Sequence, residues 1–145
     1  MVTVTRFSGP DDSPGFLLWR VTLAWQRAMR AALAPHDLTH VQFVLLASLW
    51  WLVGHSGPPS QQRLAEQAGT DPMMTSQVLR KLADRGLISR EVDPADSRAR
   101  LLDLTAEGKA LVAKAMKDVE DADAAYFAGL GDEQQAFVRG LTRLL

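Results

Sequence analysis

Two short clusters of side chains carry the recognisable chemistry of this chain. The first follows Asp71-Pro72 and comprises Met73, Thr75, Ser76, Gln77, Arg80 and Lys81. The second sits in the polar run from Asp93 to Arg100 and offers Asp96, Arg98 and Arg100. Amides, hydroxyls and cations of this kind bind phosphate oxygens and the edges of bases. A glutamine can bond adenine in bidentate fashion, and an apolar group such as a methionine can touch a thymine methyl. Met73, Ser76, Gln77, Arg80 and Lys81 fall on the helix face away from Val78 and Leu82. Thr75 is intermediate and suits phosphate contact or packing. The competing explanation for such a face is a solvated surface, which is common. For Arg98 it is a surface ion pair worth about 0–1 kcal/mol.

Other chemistries find little support. The sequence has no cysteine. It therefore lacks disulfides, thiolate metal sites and a cysteine nucleophile. No glycine-rich phosphate loop, no His-Glu-x-x-His and no serine with an evident neighbouring base is present, so an enzyme is not expected. His36 and His40 have metal-ligand spacing, but His36 precedes the helix capped by Thr39, and no metal or other cofactor is expected. The chain carries four tryptophans. Trp19, Trp50 and Trp51, with His40 as a polar contact, are candidates for an aromatic effector pocket. Core and dimer packing is the competing role.

The elements that must position these residues follow from periodicity. Residues 1–12 read as a flexible tail, and 13–145 as a single domain. Ser13-Pro14 opens a helix to about Ala34, where Pro35 ends it. Thr39 with Gln42 is a capping box for a helix closing at Gly54. Ser60 caps a short helix ending at Gly69. Asp71-Pro72 starts the next, with Met74, Val78, Leu79 and Leu82 inward and Gly86 as its stop. The period then changes to two: Ile88, Arg90 and Val92, then Leu102 and Leu104, with a polar tip from Asp93 to Arg100. Thr105 caps a long helix to about Ala128, whose inner stripe is Leu111, Ala115, Val119 and Ala122. The acidic run Asp118 to Asp123 reads as its solvated face. Asp132, with Gln135, opens a last helix.

Two short helices and a hairpin in this order make a winged helix-turn-helix. In that arrangement the second helix enters the major groove. Arg98 at the hairpin tip reaches the minor groove, with Asp96 orienting it or pairing with another cation. Arg90 and Arg100 are phosphate candidates. The net charge of −1 gives no support to DNA binding. Residues 60–100 hold seven basic and six acidic side chains, whereas 106–135 hold three and seven. The middle is thus only mildly basic against an acidic C-terminal arm. The stretch Phe43–Val53 is too short to span a bilayer, and the N-terminus lacks a signal-peptide pattern. A soluble, cytoplasmic protein is expected.

The segments Gln62-Arg63-Leu64-Ala65 through Leu82, Arg85-Gly86-Leu87-Ile88, Asp93-Pro94-Ala95-Asp96-Ser97-Arg98 and Leu104-Thr105-Ala106-Glu107-Gly108 resemble the MarR family of transcriptional regulators. The resemblance spans nearly the whole chain. It implies a mainly helical fold with a small β-hairpin wing and a homodimer whose terminal helices interlock. Residues 13–35 and 106–145 would form the dimer, and 39–105 the DNA-binding region. It also implies a pseudo-palindromic operator in double-stranded DNA and a small aromatic or phenolic effector that releases a repressor. Two positions depart from the usual pattern. Ser97 stands where the family often has an arginine, and Gln77 where a basic residue is frequent, so an altered base preference is expected. The alternative function is a winged-helix protein-interaction module that has lost specific DNA binding.

Overall fold

The computed structural model describes residues 3–145. Eight elements follow in order: α1 (Pro14–Leu33), α2 (His40–Ser56), α3 (Gln61–Ala68), α4 (Pro72–Asp84), β1 (Ile88–Asp93), β2 (Asp96–Leu104), α5 (Ala106–Phe127) and α6 (Gln134–Leu144). Short 3-10 turns precede α1, follow it at Ala34–His36, and separate α5 from α6. Met1 and Val2, part of the expected tail, lie outside the described residues. Residues 3–9 form no helix or strand, and the 3-10 turn Pro10–Asp12 leads into the Ser13 cap.

Helix starts are fixed locally. The hydroxyls of Ser13, Thr39, Ser60 and Thr105 and the carboxylate of Asp71 each accept a backbone N–H of the first turn that they cap. These groups satisfy donors that a helix cannot satisfy itself. At Thr39 the capping box is complete, because Gln42 Oε1 also accepts the Thr39 N–H.

The core forms around α2, which is apolar on nearly every side. Its Phe43, Leu45, Leu46, Leu49 and Leu52 are buried against Met29 and Leu33 of α1, Leu64 of α3, Leu79 and Leu82 of α4, and Leu102 of β2. Each such side chain contributes about 1.5–3 kcal/mol through burial. Leu79 and Leu82 are fully buried, whereas Met74 and Val78 of the expected inner stripe are half-buried.

Several boundaries differ from the sequence reading. α2 runs through Gly54 to Ser56 and stops at Gly57, whose φ of +82° an L side chain rarely adopts. A helix-interior glycine costs only about 1 kcal/mol, which the buried face of α2 outweighs. The hairpin strands reach further than expected, and the tip narrows to Pro94-Ala95, with Asp93 opposite Asp96. Asp132 caps no helix among the described residues. The chain stays in a 3-10 turn from Ala128 to Glu133, broken at Gly131, and α6 begins at Gln134 without a side-chain cap.

One pairing was not foreseen. Pro59 accepts the Leu102 N–H at 2.9 Å, and Ser60 bridges Leu101, so the segment before α3 is joined to β2 by an isolated bridge. The base of the hairpin is thereby tied to the start of α3.

α5 returns along α1, joined by Trp25 Nε1 donating to Asp123 Oδ1 at 2.7 Å and Tyr126 Oη donating to the Val21 carbonyl at 3.3 Å. The acidic run of α5 is therefore more than a solvated face: Asp123 holds Trp25, and Asp118 meets His36 at 2.6 Å. α6 buries none of its residues. With the start of α1 it walls an apolar groove of about 760 Å³ lined by Leu17, Leu18, Val21, Phe137, Leu141 and Leu144. Among the described residues no single helix is long and apolar enough to cross a membrane.

Candidate nucleic-acid interface

The turn between α3 and α4 decides which side chains α4 presents. Gly69 adopts a φ of +70°, and the Thr70 N–H returns to the Ala65 carbonyl. Asp71 caps α4 by accepting the Met74 N–H at 2.9 Å. Pro72 then occupies the first helical position, where its missing N–H is no loss.

This geometry removes one candidate. Thr75 is fully buried. Its hydroxyl donates to the Asp71 carbonyl at 2.7 Å and lies 2.6 Å from the Thr70 hydroxyl. Thr75 therefore closes the helix-turn-helix from inside, where it reaches neither phosphate nor base.

The remaining residues form one ridge. Met73, Gln77, Arg80 and Lys81 are exposed, at i, i+4, i+7 and i+8. Ser76 is half-buried beside them, and Arg80 donates to its hydroxyl at 3.5 Å. The opposite face of α4 is anchored by Leu79 and Leu82, so the ridge sits on a rigid element.

The wing offers a second exposed polar surface. Asp93 accepts the Ala95 N–H at 2.9 Å, and Asp96 accepts the Arg98 N–H at 3.0 Å. Asp96 makes no ion pair among the described residues. It acts on Arg98 through the backbone of the turn, not through the guanidinium. The Arg98 side chain is exposed and hydrogen-bonds nothing among the described residues. Arg100 folds back onto the carbonyls of Ser97 at 3.5 Å and Ala99 at 3.3 Å. Arg90 donates to Gln61 of α3 at 3.2 Å.

The expected effector pocket is not assembled. Trp19 is 65% exposed on α1, and Trp50 and Trp51 are about half exposed near the end of α2. His40, at the start of α2, lies roughly 15 Å away along the axis from Trp50, at about 1.5 Å rise per residue. Trp51 stacks on His55, with ring centroids 3.6 Å apart. His40 instead meets Trp25 edge-on at 5.0 Å. Burial lowers the His40 pKa, Arg30 lowers it further, and Asp123 works in the opposite direction. Trp25, the fourth tryptophan, has partners from α2 and α5 that its own sequence neighbourhood does not indicate. Among the described residues no group of His, Asp or Glu has the geometry of a metal site.

Comparison with known proteins agrees with this architecture. The model of the MarR family matches residues 38–99. The chain is 45% identical over 141 residues to the uncharacterized HTH-type transcriptional regulator YdcH of Bacillus subtilis (strain 168), covering 97% of this chain and 95% of that protein. Its fold matches the transcriptional repressor CouR bound to a 23-mer DNA duplex, with a TM-score of 0.85 and 26% identity over 98% of this chain and 99% of that one. It also matches BpsR of Bordetella bronchiseptica, whose DNA binding is regulated by 6-hydroxynicotinic acid, with a TM-score of 0.83 and 27% identity over 97% and 96% of the two chains. A winged helix-turn-helix with this ridge and wing, and near-full-length likeness to such proteins, places the chain in the MarR family of transcriptional regulators, a family of DNA-binding proteins and not of enzymes.

Proposed function

We propose that the protein is a cytoplasmic homodimeric repressor that reads a pseudo-palindromic operator in double-stranded DNA and leaves it when a small aromatic effector binds. The observation that carries this reading is the pairing of two free surfaces. One is the exposed Met73–Gln77–Arg80–Lys81 ridge on a helix anchored from behind, and the other is Arg98 at the wing tip, whose side chain has no partner among the described residues. Gln77 and Met73, in the first two turns of α4, meet base edges, whereas Arg80 and Lys81 in the third turn meet phosphates. Ser76 steers Arg80. Arg98 enters the minor groove, where the negative potential of a narrow groove favours a guanidinium. Arg100 and Arg90 already have protein partners and serve as secondary phosphate contacts.

Residues 13–35 and 106–145 form the dimer in this account, and 39–105 contact DNA. Support comes from α6, which leaves Leu141 and Leu144 exposed beside Leu18 of α1. A contiguous apolar surface of this kind calls for a partner, and a second copy satisfies both faces at once. An effector that favours a different spacing of the two α4 helices weakens binding because both can no longer enter their grooves together. The regulation of BpsR by 6-hydroxynicotinic acid supports an effector of that chemical class.

The test is a titration of the purified protein against duplex DNA from the region upstream of its own gene, with a scrambled duplex as control, at several salt concentrations. Selective binding that weakens steeply with salt is expected. Equal, weak binding to both duplexes points instead to a winged-helix module that binds another protein.

A further inference from the structure

The elbow between α1 and α2 is held by two different helices, α5 and α4, through consecutive residues. α1 with its 3-10 extension and α2 meet there at 77°. Its first pin is His36, whose side chain is 12% exposed and whose Nε2 lies 2.6 Å from Asp118 Oδ2 of α5. Its second pin is the next residue, Asp37. The carbonyl of Asp37 accepts a hydrogen bond from Arg85 Nη1 at 2.7 Å, and Arg85 is the C-terminal cap of α4. The same nitrogen donates at 3.4 Å to Gln42 Oε1, the atom that also accepts the Thr39 N–H. Arg85 thus grips the two groups that fix where α2 begins.

The backbone at this point is unusual. Asp37 is the only non-glycine among the described residues with a positive φ, +52°. Aspartate tolerates this left-handed conformation better than most residues, but it remains uncommon. The carboxylate of Asp37 is fully exposed and 3.8 Å from Arg85, so it adds little. The charge-assisted bond to the carbonyl is what fixes the geometry.

We propose that this elbow couples the α1–α5 arm to the recognition helix, with Arg85 as the positioning residue. The proposal rests on the reading of α4 as the DNA-recognition helix. One peptide bond separates the residue tied to α5 from the residue tied to the end of α4. A displacement of α5 against α1 is therefore passed to the C-terminal end of α4 with almost no slack. Leu79 and Leu82 hold the C-terminal half of α4 in the core. Its C-terminal end is held by buried Leu87 and by Thr105 on the Gly86 and Leu87 carbonyls, and Arg85 adds the tie to the elbow that sets its tilt, and so the angle at which Gln77 and Met73 meet base edges.

The experiment uses the full chain and four variants: Arg85→Ala, Arg85→Lys, Asp118→Ala and the Arg85→Ala/Asp118→Ala double. Each is titrated against a selected operator duplex and a scrambled duplex over a salt series, with thermal unfolding in parallel. Arg85→Ala is expected to lower operator affinity about threefold to thirtyfold. It should leave scrambled-duplex affinity and the salt slope unchanged, and Arg85→Lys should recover part of the loss. The double variant should lose less than the product of the single losses, because both act through one elbow. A salt slope reduced by about one would make Arg85 a phosphate contact and overturn the proposal. So would a fall in melting temperature with an unchanged ratio of operator to scrambled affinity, or strictly multiplicative losses. If the unaltered protein itself does not distinguish the duplexes, the DNA-recognition reading fails first, and the proposal with it.

Discussion

Arg98 and Asp96 divide the work at the wing tip. Asp96 fixes the turn through the Arg98 backbone, and the guanidinium is left free. Arg98→Ala is therefore expected to lower operator affinity roughly tenfold without changing the melting temperature, as read by a binding titration and thermal unfolding. His40 supports a second prediction. Its folded-state pKa lies below the ordinary value of 6.5, chiefly through burial, so the fold binds fewer protons there than the unfolded chain. Stability from this source is present above pH 6.5 and is lost as pH falls through the lower folded value. Melting temperature should accordingly drop less on acidification in His40→Gln, and an identical drop in both proteins would contradict the assignment. At this scale the ridge of α4 was legible, because helical spacing alone puts Met73, Gln77, Arg80 and Lys81 on one side. The burial of Thr75 was not, since it depends on the hydroxyl of Thr70 across a tight turn. The pairing of His40 with Trp25 was equally hidden, because α1 and α2 bring them together only after folding.

Elements were legible where their signals are local. Ser13, Thr39, Ser60, Asp71 and Thr105 all cap helices in the sequence positions that suggest it. Gly54 misled because the buried face of α2 carries the helix past it, and Asp132 because the 3-10 turn broken at Gly131 delays α6 to Gln134. The bridge from Pro59-Ser60 to β2 has no periodic signal, being a single pairing. Thr105 does more than cap α5: its hydroxyl donates to the Gly86 carbonyl at 2.6 Å, and its N–H donates to the Leu87 carbonyl at 3.1 Å. This brings the first turn of α5 onto the strand leaving α4, and Gly108 is the point of closest approach. A Cβ there would overlap the Leu87 carbonyl oxygen. Gly108→Ala should destabilise the fold by about 1–3 kcal/mol, measured by urea unfolding. An unchanged midpoint would mean that the junction between wing and α5 is looser than described.

At the scale of the whole molecule, the apolar groove between α1 and α6 and the unburied face of α6 are the surfaces on which the proposed dimer rests. Removing residues 134–145 is expected to leave the helix-turn-helix folded, since no residue of α6 is buried in the chain's own core. The truncated protein should sediment as a monomer and lose about a hundredfold or more in operator affinity, because the second half-site is no longer tethered. The central claim is that two copies of α4 read two half-sites at once. Selection of bound sequences from a random duplex library, using the full chain, tests it most directly. The account predicts an inverted repeat with half-site centres about 10–10.5 base pairs apart, or a multiple of that spacing. A selected motif without two-fold symmetry, or no motif at all, would contradict it.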